Sequence, residues 1–319
     1  MDEKVHLFLQ QAGWGDAVRE ALAGDASSRC YERLQQGDNS AILMQDPDHG
    51  ALTSFLSVTD ILVGYGYSVP DILCEDKAAG LLLLEDLGDD LLARLLDVHP
   101  QDEERLYALA VDFLVDLRRQ ATPEGLPFFS SNYVLDQNAL FLDWYVPEVT
   151  GAPLPDNARF FFQQIWRDLL KNMEDAPEIL LLRDFHAENL LYLPDRQGVK
   201  TLGLLDYQDA MTGPAAYDLV SLLQDARRHV SPAVATYMVT RYLAATGVNE
   251  AAFHHMFAVL GAHRALRIMG IFTRLAKRDG KDRYLAFMPR MISHLQTNLA
   301  HPNLIALKHW VDVTLGKLN

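Results

Sequence analysis

The pattern of apolar and polar positions divides the chain into two parts with different periodicities. Before about residue 87, short apolar runs alternate with turns rich in Gly, Asp and Asn, which is typical of antiparallel strands. Apolar residues at helical spacing interrupt this pattern once. The predicted elements are a hairpin of strands 29–34 and 40–45, a helix over 50–65, and strands at 71–74 and 80–84.

From residue 91 onward, helical periodicity dominates. Two strand-like runs interrupt it, at 190–193 and 199–205, and they predict a second hairpin around the turn at 194–198. The predicted helices lie near 102–120, 136–149, 157–174, 215–228, 231–246, 250–276 and 283–298. We therefore predict an α+β protein with two lobes: a small antiparallel β lobe with one main helix (1–87) and a larger, mainly helical lobe (88–319).

Three polar residues around the second hairpin have the order and spacing that phosphoryl transfer requires. Asp184 precedes Asn189 by five residues, and Asp206 follows the next hydrophobic run. In phosphoryl transfer one carboxylate orients the attacking hydroxyl, while an amide oxygen and a second carboxylate hold Mg²⁺ on the nucleotide phosphates. The predicted hairpin has Asn189 at its entry and Asp206 at its exit, so both side chains can serve one metal site.

Neighbouring residues admit more than one interpretation. Asp209 either contacts a second metal or a substrate hydroxyl, or caps the helix that begins near residue 214. His186 is interpreted as a residue that holds the loop through backbone contacts rather than as a catalytic group. Asp218 lies early in an apolar helix, where a buried carboxylate needs local donors; the backbone amides of the Asp184 loop are plausible donors.

The N-terminal part contains two candidate nucleotide contacts. Small residues in the segment 24–29 would let backbone N–H groups approach a phosphate, and Arg29 would add positive charge. No lysine occurs between Lys4 and Lys77, so Arg29 or Arg33 is the candidate replacement for a phosphate-pairing lysine. The strand at 80–84 leads into the segment 85–88, which has the form of a hinge between lobes whose backbone would bind an adenine edge.

The composition limits the classes of binding partner and the cellular compartment that we expect. The formal charge of −15 argues against nucleic acid, because binding a polyanion requires a basic surface. The two cysteines, Cys30 and Cys74, lie far apart and form no metal or redox motif, which fits a reducing cytoplasm. No signal peptide and no apolar run of about 20 residues is visible. We therefore expect a cytoplasmic protein without a membrane or nucleic-acid partner.

Two stretches resemble a known family. LRDFHAENLL at 182–191 and LLDYQDAMTGPAAYDLVSLL at 204–223 resemble the aminoglycoside phosphotransferase family of protein-kinase-like enzymes. The segment GDASSRCY at 24–31 and LEDLG at 84–88 are similar to the branch that phosphorylates the anomeric hydroxyl of N-acetylmuramate and N-acetylglucosamine in cell-wall recycling. The resemblance covers nearly the full chain. Leu182 departs from the family pattern, which usually has histidine there.

The resemblance implies a role for each matching residue. It implies Asp184 as the catalytic aspartate and Asn189 and Asp206 as ligands of Mg²⁺. ATP is expected between the lobes. The residues expected to bind ATP are Ser27, Ser28 and Arg29 in the loop and Glu85 and Leu87 in the hinge.

The sequence leaves alternatives for the substrate and for the presence of catalytic activity. N-acetylmuramate is an anion, and Arg183 and Arg274 are the candidate cations that would bind it; Asp209 is a further candidate substrate contact. The acidic composition instead favours a cationic substrate such as an aminoglycoside, or another small alcohol. In the loop at 24–31, Ser28 and Cys30 stand where the similar branch commonly has an aromatic and a basic residue. This change, together with the absence of a lysine between Lys4 and Lys77, favours a pseudokinase that binds nucleotide without turnover. We expect a monomer.

Overall fold

The structure is a computed structural model that describes residues 2–22, 29–171, 173 and 178–316. The chain forms two compact units. The first comprises Met1–Pro100 and Glu188–Asp209, and the second comprises Gln101–Ala187 and Ala210–Asn319. The first unit therefore extends past the predicted boundary at residue 87 and also takes in the later hairpin. An antiparallel sheet in the first unit and helices in the second confirm the predicted α+β class.

The described part of the first unit contains segments of helix and strand beyond those predicted. Its elements are α1 (Asp2–Gln11), β1 (Val18–Ala21), β2 (Cys30–Gln36), β3 (Asn39–Gln45), α2 (His49–Gly64), β4 (Ile72–Asp76), β5 (Leu81–Glu85), α3 (Leu92–Val98), β7 (Leu190–Tyr192) and β8 (Leu202–Leu204). The additional segments include α1, α3, β1 and a 3₁₀ turn at Gly198–Thr201, which occupies the start of the predicted strand 199–205. A further 3₁₀ turn, Ala187–Asn189, leads into β7.

The sheet of the first unit is antiparallel, with strand order β1-β2-β3-β5-β4. The predicted hairpin is present as β2 and β3, which pair from Cys30↔Gln45 to Gln36↔Asn39. The turn is tighter than the predicted five residues, because only Gly37 and Asp38 lie between the strands. Gly37 has a φ of 60°, a conformation that glycine adopts without steric cost.

One face of this sheet is covered by α1. Val5, Phe8 and Leu9 of α1 are buried in the same apolar cluster as residues from three strands. The strand residues of this cluster are Leu34, Ala41, Leu43, Leu81 and Leu83. On β3 and β5 they alternate along the chain, as expected for side chains on a single face of a strand.

The second unit is built around one long helix, α10. The elements are α4 (Glu103–Leu117), α5 (Ser131–Leu140), a π-helical turn (Phe141–Tyr145), α6 (Val146–Thr150), α7 (Asp156–Leu169), β6 (Glu178–Leu181), β9 (Met211–Pro214), α8 (Ala216–Leu223), α9 (Pro232–Thr246), α10 (Glu250–Asp279), α11 (Met288–Leu299) and α12 (Ile305–Leu315). Helix α10 packs against α5, α8 and α11.

Helix α10 is long and apolar enough to cross a membrane by length and composition, but 78% of its most apolar window is buried inside the protein. It is therefore a core helix of this unit. A Cβ atom at Gly270 would overlap the backbone of Leu140 and Phe141. Glycine thus permits α10 to approach the junction between α5 and the π-helical turn, which is where the predicted helix 136–149 is interrupted.

A short two-stranded sheet, β6 paired with β9, was not predicted as a pair. The apolar run at 179–182 was recognised, but β9 contains Gly213 and Pro214, which are typical of turns and of strand edges. Strand β9 runs directly into α8. The antiparallel register pairs Pro214, at the end of β9, with Glu178 at the start of β6. Asp218, in the first turn of α8, reaches the other end of β6 by accepting hydrogen bonds from the N–H groups of Leu182 and Arg183, where the Asp184 loop begins.

Candidate active site

The second hairpin brings Asn189 and Asp206 to the same end of two paired strands. Leu190 pairs with Leu204 across β7 and β8, and the N–H of Leu205 donates to the carbonyl oxygen of Asn189 at 2.9 Å. Asn189 therefore stands opposite Leu205, and Asp206 is the next residue. The two hard oxygen ligands suit Mg²⁺, which takes few protein ligands and completes its shell with phosphate and water.

Asp206 lies in a turn that has a left-handed backbone and packs against α2. Its φ of 56° is left-handed, a conformation that aspartate tolerates better than most residues. The next residue, Tyr207, stacks on Phe55 with ring centroids 5.1 Å apart, and its hydroxyl is 2.9 Å from the Thr59 hydroxyl. Tyr207 thus anchors the turn to α2, while the carboxylate of Asp206 stays exposed.

A line of polar contacts runs from Asp206 into the sheet. Gln208 Nε2 donates to Asp206 Oδ1 at 2.9 Å, and Gln208 Oε1 accepts from Arg29 Nη1 at 2.9 Å. Arg29 in turn donates through Nε to Asp46 Oδ2 at 2.8 Å. Arg29 and Asp46 are both buried, so this ion pair is enclosed by protein. We name this set, Asp46, Arg29, Gln208 and Asp206, the Asp206 network.

The Asp206 network changes the interpretation of Arg29. Its guanidinium group is already held by Asp46 and Gln208, and the Tyr31 hydroxyl accepts a further bond at 3.3 Å. These three contacts are with protein side chains, so the role of Arg29 as a phosphate contact remains a prediction. Ser27 and Ser28, the other predicted loop contacts, lie outside the described residues.

The predicted hinge is fixed by ion pairs. Glu85 Oε1 accepts from Arg196 Nη2 at 2.7 Å, whereas Arg33 Nε lies 2.8 Å from Asp86 Oδ2. Arg33 also bonds Asp89, at 2.7 Å from Nη1 to Oδ2. Leu87, the second predicted hinge contact, is partly buried. The adenine contacts of Glu85 and Leu87 remain predictions.

Asp184 follows β6 in a loop of the second unit, and Asp218 determines the shape of that loop. Asp218 Oδ2 accepts from the N–H of Leu182 at 2.7 Å, and Oδ1 accepts from the N–H of Arg183 at 2.8 Å. Arg183 has a φ of 67°, which is rare for a residue with a side chain. Desolvation by burial raises the pKa of Asp218 to about 7. The two hydrogen bonds from backbone N–H groups lower this pKa, but their effect is smaller than that of burial. Asp218 holds the loop through its backbone, as the sequence indicated.

Positive charge surrounds Asp184. Burial alone would raise the pKa of its carboxyl, but the charges of nearby groups outweigh burial and hold that pKa below its ordinary value. The arginines among these groups are, in decreasing order of effect, Arg267, Arg183 and Arg264. The carboxylate is therefore ionised at neutral pH, as a group that aligns or deprotonates a hydroxyl must be.

His186 is buried, whereas Asp209 lies at the surface. Burial lowers the pKa of His186, so its ring is neutral at pH 7. Its Nε2 lies 3.4 Å from Arg227 Nη1, and the adjacent Phe185 ring stacks on Phe113 with centroids 5.5 Å apart. These contacts agree with a role in holding the loop. Asp209 is exposed, and both of its interpretations remain predictions.

Three residues with direct bearing on the site were not identified from the sequence: Gln208, Asp46 and Arg267. Gln208 lies within the recognised segment DYQD, so its position next to Asp206 was the available signal. Arg267 has no such signal, because α10 comes far later in the chain than Asp184. Asp46 lies 17 residues after its partner Arg29, so the pair leaves no local pattern in the sequence.

Comparison with known structures identifies the class of fold. A choline/ethanolamine kinase family protein from Mesorhizobium loti superposes with a TM-score of 0.66 at 14% identity, over 98% of this chain and 99% of that chain. The GDP complex of wild-type aminoglycoside 2′-phosphotransferase-IIIa gives a TM-score of 0.65 at 15% identity, over 93% and 98% of the two chains. The protein thus has the protein-kinase-like fold of small-molecule phosphotransferases.

The family follows from the sequence itself. Residues 18–254 match the phosphotransferase enzyme (APH) family, and the chain belongs to that family. It is 38% identical to an N-acetylmuramate/N-acetylglucosamine kinase from Caulobacter vibrioides, over 96% of this chain and 94% of the relative. A kinase of the same name from Pseudomonas aeruginosa is 32% identical, over 92% of this chain and 88% of the relative. The predicted family and enzyme class are confirmed.

Proposed function

We propose that the protein is an ATP-dependent kinase that phosphorylates the anomeric hydroxyl of N-acetylmuramate and N-acetylglucosamine. The observation that carries this proposal is 38% identity to a kinase of that name over 96% of the chain. Similarity at this level and coverage supports a shared reaction as well as a shared fold. We also propose a cytoplasmic monomer, in keeping with a substrate that is a small sugar.

In the proposed reaction, Asp184 accepts or aligns the proton of the sugar hydroxyl. The hydrogen bonds that Asp218 accepts from the N–H groups of Leu182 and Arg183 hold the Asp184 loop in one conformation, so the Asp184 carboxylate is oriented before the substrate binds. The arginines around Asp184 keep it ionised. Its role is therefore to position the attacking oxygen, which is the main contribution that a protein makes to this class of reaction.

Asn189 and Asp206 are the residues that would hold Mg²⁺. Their side chains belong to one end of the β7–β8 hairpin, and both provide hard oxygen ligands. When bound, Mg²⁺ would neutralise the phosphates of ATP. Gln208 orients the Asp206 carboxylate by donating to Oδ1, and Arg29 orients Gln208.

The charge around Asp184 also bears on the alternative substrate. Aminoglycosides carry several ammonium groups, and Arg183, Arg264 and Arg267 would repel such a cation near the reacting hydroxyl. An acidic or neutral sugar meets no such repulsion. The local charge therefore favours an N-acetylated amino sugar, whose nitrogen carries no charge, over an aminoglycoside. The net charge of the whole chain, by contrast, is negative.

The test is to incubate the purified protein with ATP and Mg²⁺ and to follow ADP release with N-acetylmuramate, N-acetylglucosamine and kanamycin as separate acceptors. We expect turnover of the two amino sugars and none of kanamycin. Turnover of kanamycin alone would replace the proposal with an aminoglycoside kinase. Stabilisation by ATP in a thermal shift assay without turnover of any acceptor would instead indicate a pseudokinase.

A further inference from the structure

Two of the arginines near Asp184 are held against the same face of one helix. The guanidinium carbon of Arg183 lies 5.6 Å from the centroid of the Tyr133 ring. Arg267 Nε donates to Gln137 Oε1 at 3.0 Å. Tyr133 and Gln137 are four residues apart in α5 and are therefore neighbours on its surface. The two guanidinium groups thus lie beside adjacent positions of α5.

These contacts, with an aromatic ring and an amide, orient the two guanidinium groups beside α5. Both arginine side chains are partly exposed, so a ligand can reach them. The third arginine, Arg264, differs in this respect. It is buried, and it donates to Ser221 Oγ at 3.0 Å and to the carbonyl oxygen of Gln224 at 3.3 Å. Arg264 therefore adds charge without a surface for binding.

The same two arginines act on Asp184, which places them beside the proposed reaction centre. After burial, Arg267 has the largest effect on the pKa of Asp184, and Arg183 also lowers it. Arg274, the other cation considered from the sequence, lies seven residues after Arg267 and hence roughly 10 Å further along α10. Its charge acts on Asp279 instead. Arg267 is therefore a better partner for Arg183 than Arg274 is.

We infer that Arg183 and Arg267 form a carboxylate-binding subsite that recognises the acidic side group of N-acetylmuramate and makes this acid the preferred substrate over neutral N-acetylglucosamine. This inference rests on the proposed function. The carboxylate of N-acetylmuramate is linked through an ether to the ring carbon two positions from the anomeric carbon, so a subsite beside Asp184 suits it. Arginine suits the role because its planar fork matches a carboxylate in two parallel bonds.

The test compares substrates in Arg267→Met. Removal of one charged hydrogen-bond partner should lower kcat/KM for N-acetylmuramate by about 10- to 100-fold, chiefly through KM. For N-acetylglucosamine, which has no carboxylate to lose, only the effect of Arg267 on Asp184 remains. The fall in kcat/KM should therefore be smaller than for N-acetylmuramate by about 10-fold or more, and it should appear in kcat. Arg267→Lys should recover part of the loss. Arg183→Asn should show the same selective effect, because asparagine tolerates the left-handed backbone at this position.

Two controls isolate the carboxylate. Lys277→Met removes a cation from the same helix α10, at an exposed position paired with Glu148, and should leave both substrates unaffected. The neutral methyl ester of N-acetylmuramate should be a poor substrate for the unsubstituted protein. Arg267→Met should reduce kcat/KM for this ester no more than for N-acetylglucosamine, because the ester already lacks the charge that Arg267 binds.

The outcomes separate this inference from the function on which it rests. If the unsubstituted protein phosphorylates neither amino sugar, the proposed function and this subsite are both overturned. If it phosphorylates both sugars but Arg267→Met reduces kcat/KM equally for the acid, the neutral sugar and the ester, the proposed function stands. Arg267 then acts only through Asp184 or on stability, and the subsite is wrong. If Arg267→Met leaves the preference for N-acetylmuramate over N-acetylglucosamine unchanged, the subsite is also wrong.

Discussion

The two aspartate loops of the protein are stabilised in different ways. The Asp206 turn, in the first unit, is held through side chains: Tyr207 packs on α2, and Gln208 links the carboxylate to Arg29. The Asp184 loop, in the second unit, is held through its backbone, because Asp218 binds two successive N–H groups. A side chain adjusts to a new ligand more readily than a backbone held at both N–H groups.

This difference matches the roles proposed for the two aspartates. A metal ligand has to bind and release an ion with each nucleotide, so an exposed carboxylate oriented by one amide is suitable. A group that aligns the attacking hydroxyl gains most from a fixed position. We therefore expect substitutions in the Asp206 network to change metal and nucleotide affinity, whereas substitutions around Asp184 should change turnover and the stability of the second unit.

The largest expected effect is on turnover. Asp184→Asn keeps the shape of the side chain but removes the proton acceptor, and should lower kcat by about 10²–10⁴-fold. Nucleotide binding in the presence of Mg²⁺, measured by thermal shift, should remain. In Asp206→Asn, by contrast, the additional stabilisation that Mg²⁺ gives with ATP should be lost. Equal loss of nucleotide binding in both variants would contradict the distinction between the loops.

The next effect is on the stability of the first unit. Asp46→Asn leaves the buried Arg29 without its charged partner and should lower the free energy of unfolding by about 3–5 kcal/mol. Arg29→Met combined with Asp46→Asn should be less destabilising than Asp46→Asn alone, because no charge is then left buried. Denaturant titration measures both. Lys308→Met, which breaks the exposed pair with Asp312, is the matched control and should cost less than about 1 kcal/mol.

Asp218→Asn tests the backbone support of the Asp184 loop. An amide offers one acceptor where the carboxyl binds two N–H groups, so the variant should lose about 2–4 kcal/mol of stability together with turnover. A variant that is destabilised but retains full kcat would show that Asp218 supports the fold without shaping the loop.

The same carboxyl has a defined pH dependence. Since burial raises the pKa of Asp218 to about 7 from an ordinary value of 3.8, the folded protein retains a proton that the unfolded chain releases. Its contribution to stability therefore falls as pH rises from about 4 to about 7. The stability gap between the unsubstituted protein and Asp218→Asn should narrow across that range. A constant gap between pH 4 and pH 7 would contradict the raised pKa.

The smallest effect is expected for Gln208→Leu, which removes the amide between Asp206 and Arg29. The lost hydrogen bonds should weaken Mg²⁺-dependent ATP binding by about 3- to 10-fold, with little change in kcat at saturating Mg²⁺. Gln208→Glu should be worse, because it places a second negative charge beside Asp206. Titration of Mg²⁺ in the thermal shift assay separates the two variants. Identical Mg²⁺ requirements in both would remove Gln208 from the network.

The parts of the fold that sequence predicted are those with local patterns. The β2–β3 hairpin and helix α10 each show their periodicity within a few turns or strands, and both were found. The β6–β9 pair was missed because its two strands are far apart in the chain and β9 has no alternation. For the same reason Asp184, Asn189 and Asp206 could be proposed from spacing, whereas Arg267 and the Arg29–Asp46 pair required the tertiary structure. Their catalytic and metal roles remain proposals.

The two hydrogen bonds that Asp218 accepts link the Asp184 loop to a helix that is synthesised later. Asp184, Asn189 and Asp206 leave the ribosome before Asp218, which lies in the first turn of α8. A growing chain that ends at Gly213 already contains the entire phosphoryl-transfer motif, but it lacks the acceptor for the N–H groups of Leu182 and Arg183. We therefore expect the Asp184 loop to reach its active conformation only after α8 has been synthesised and has folded onto β6.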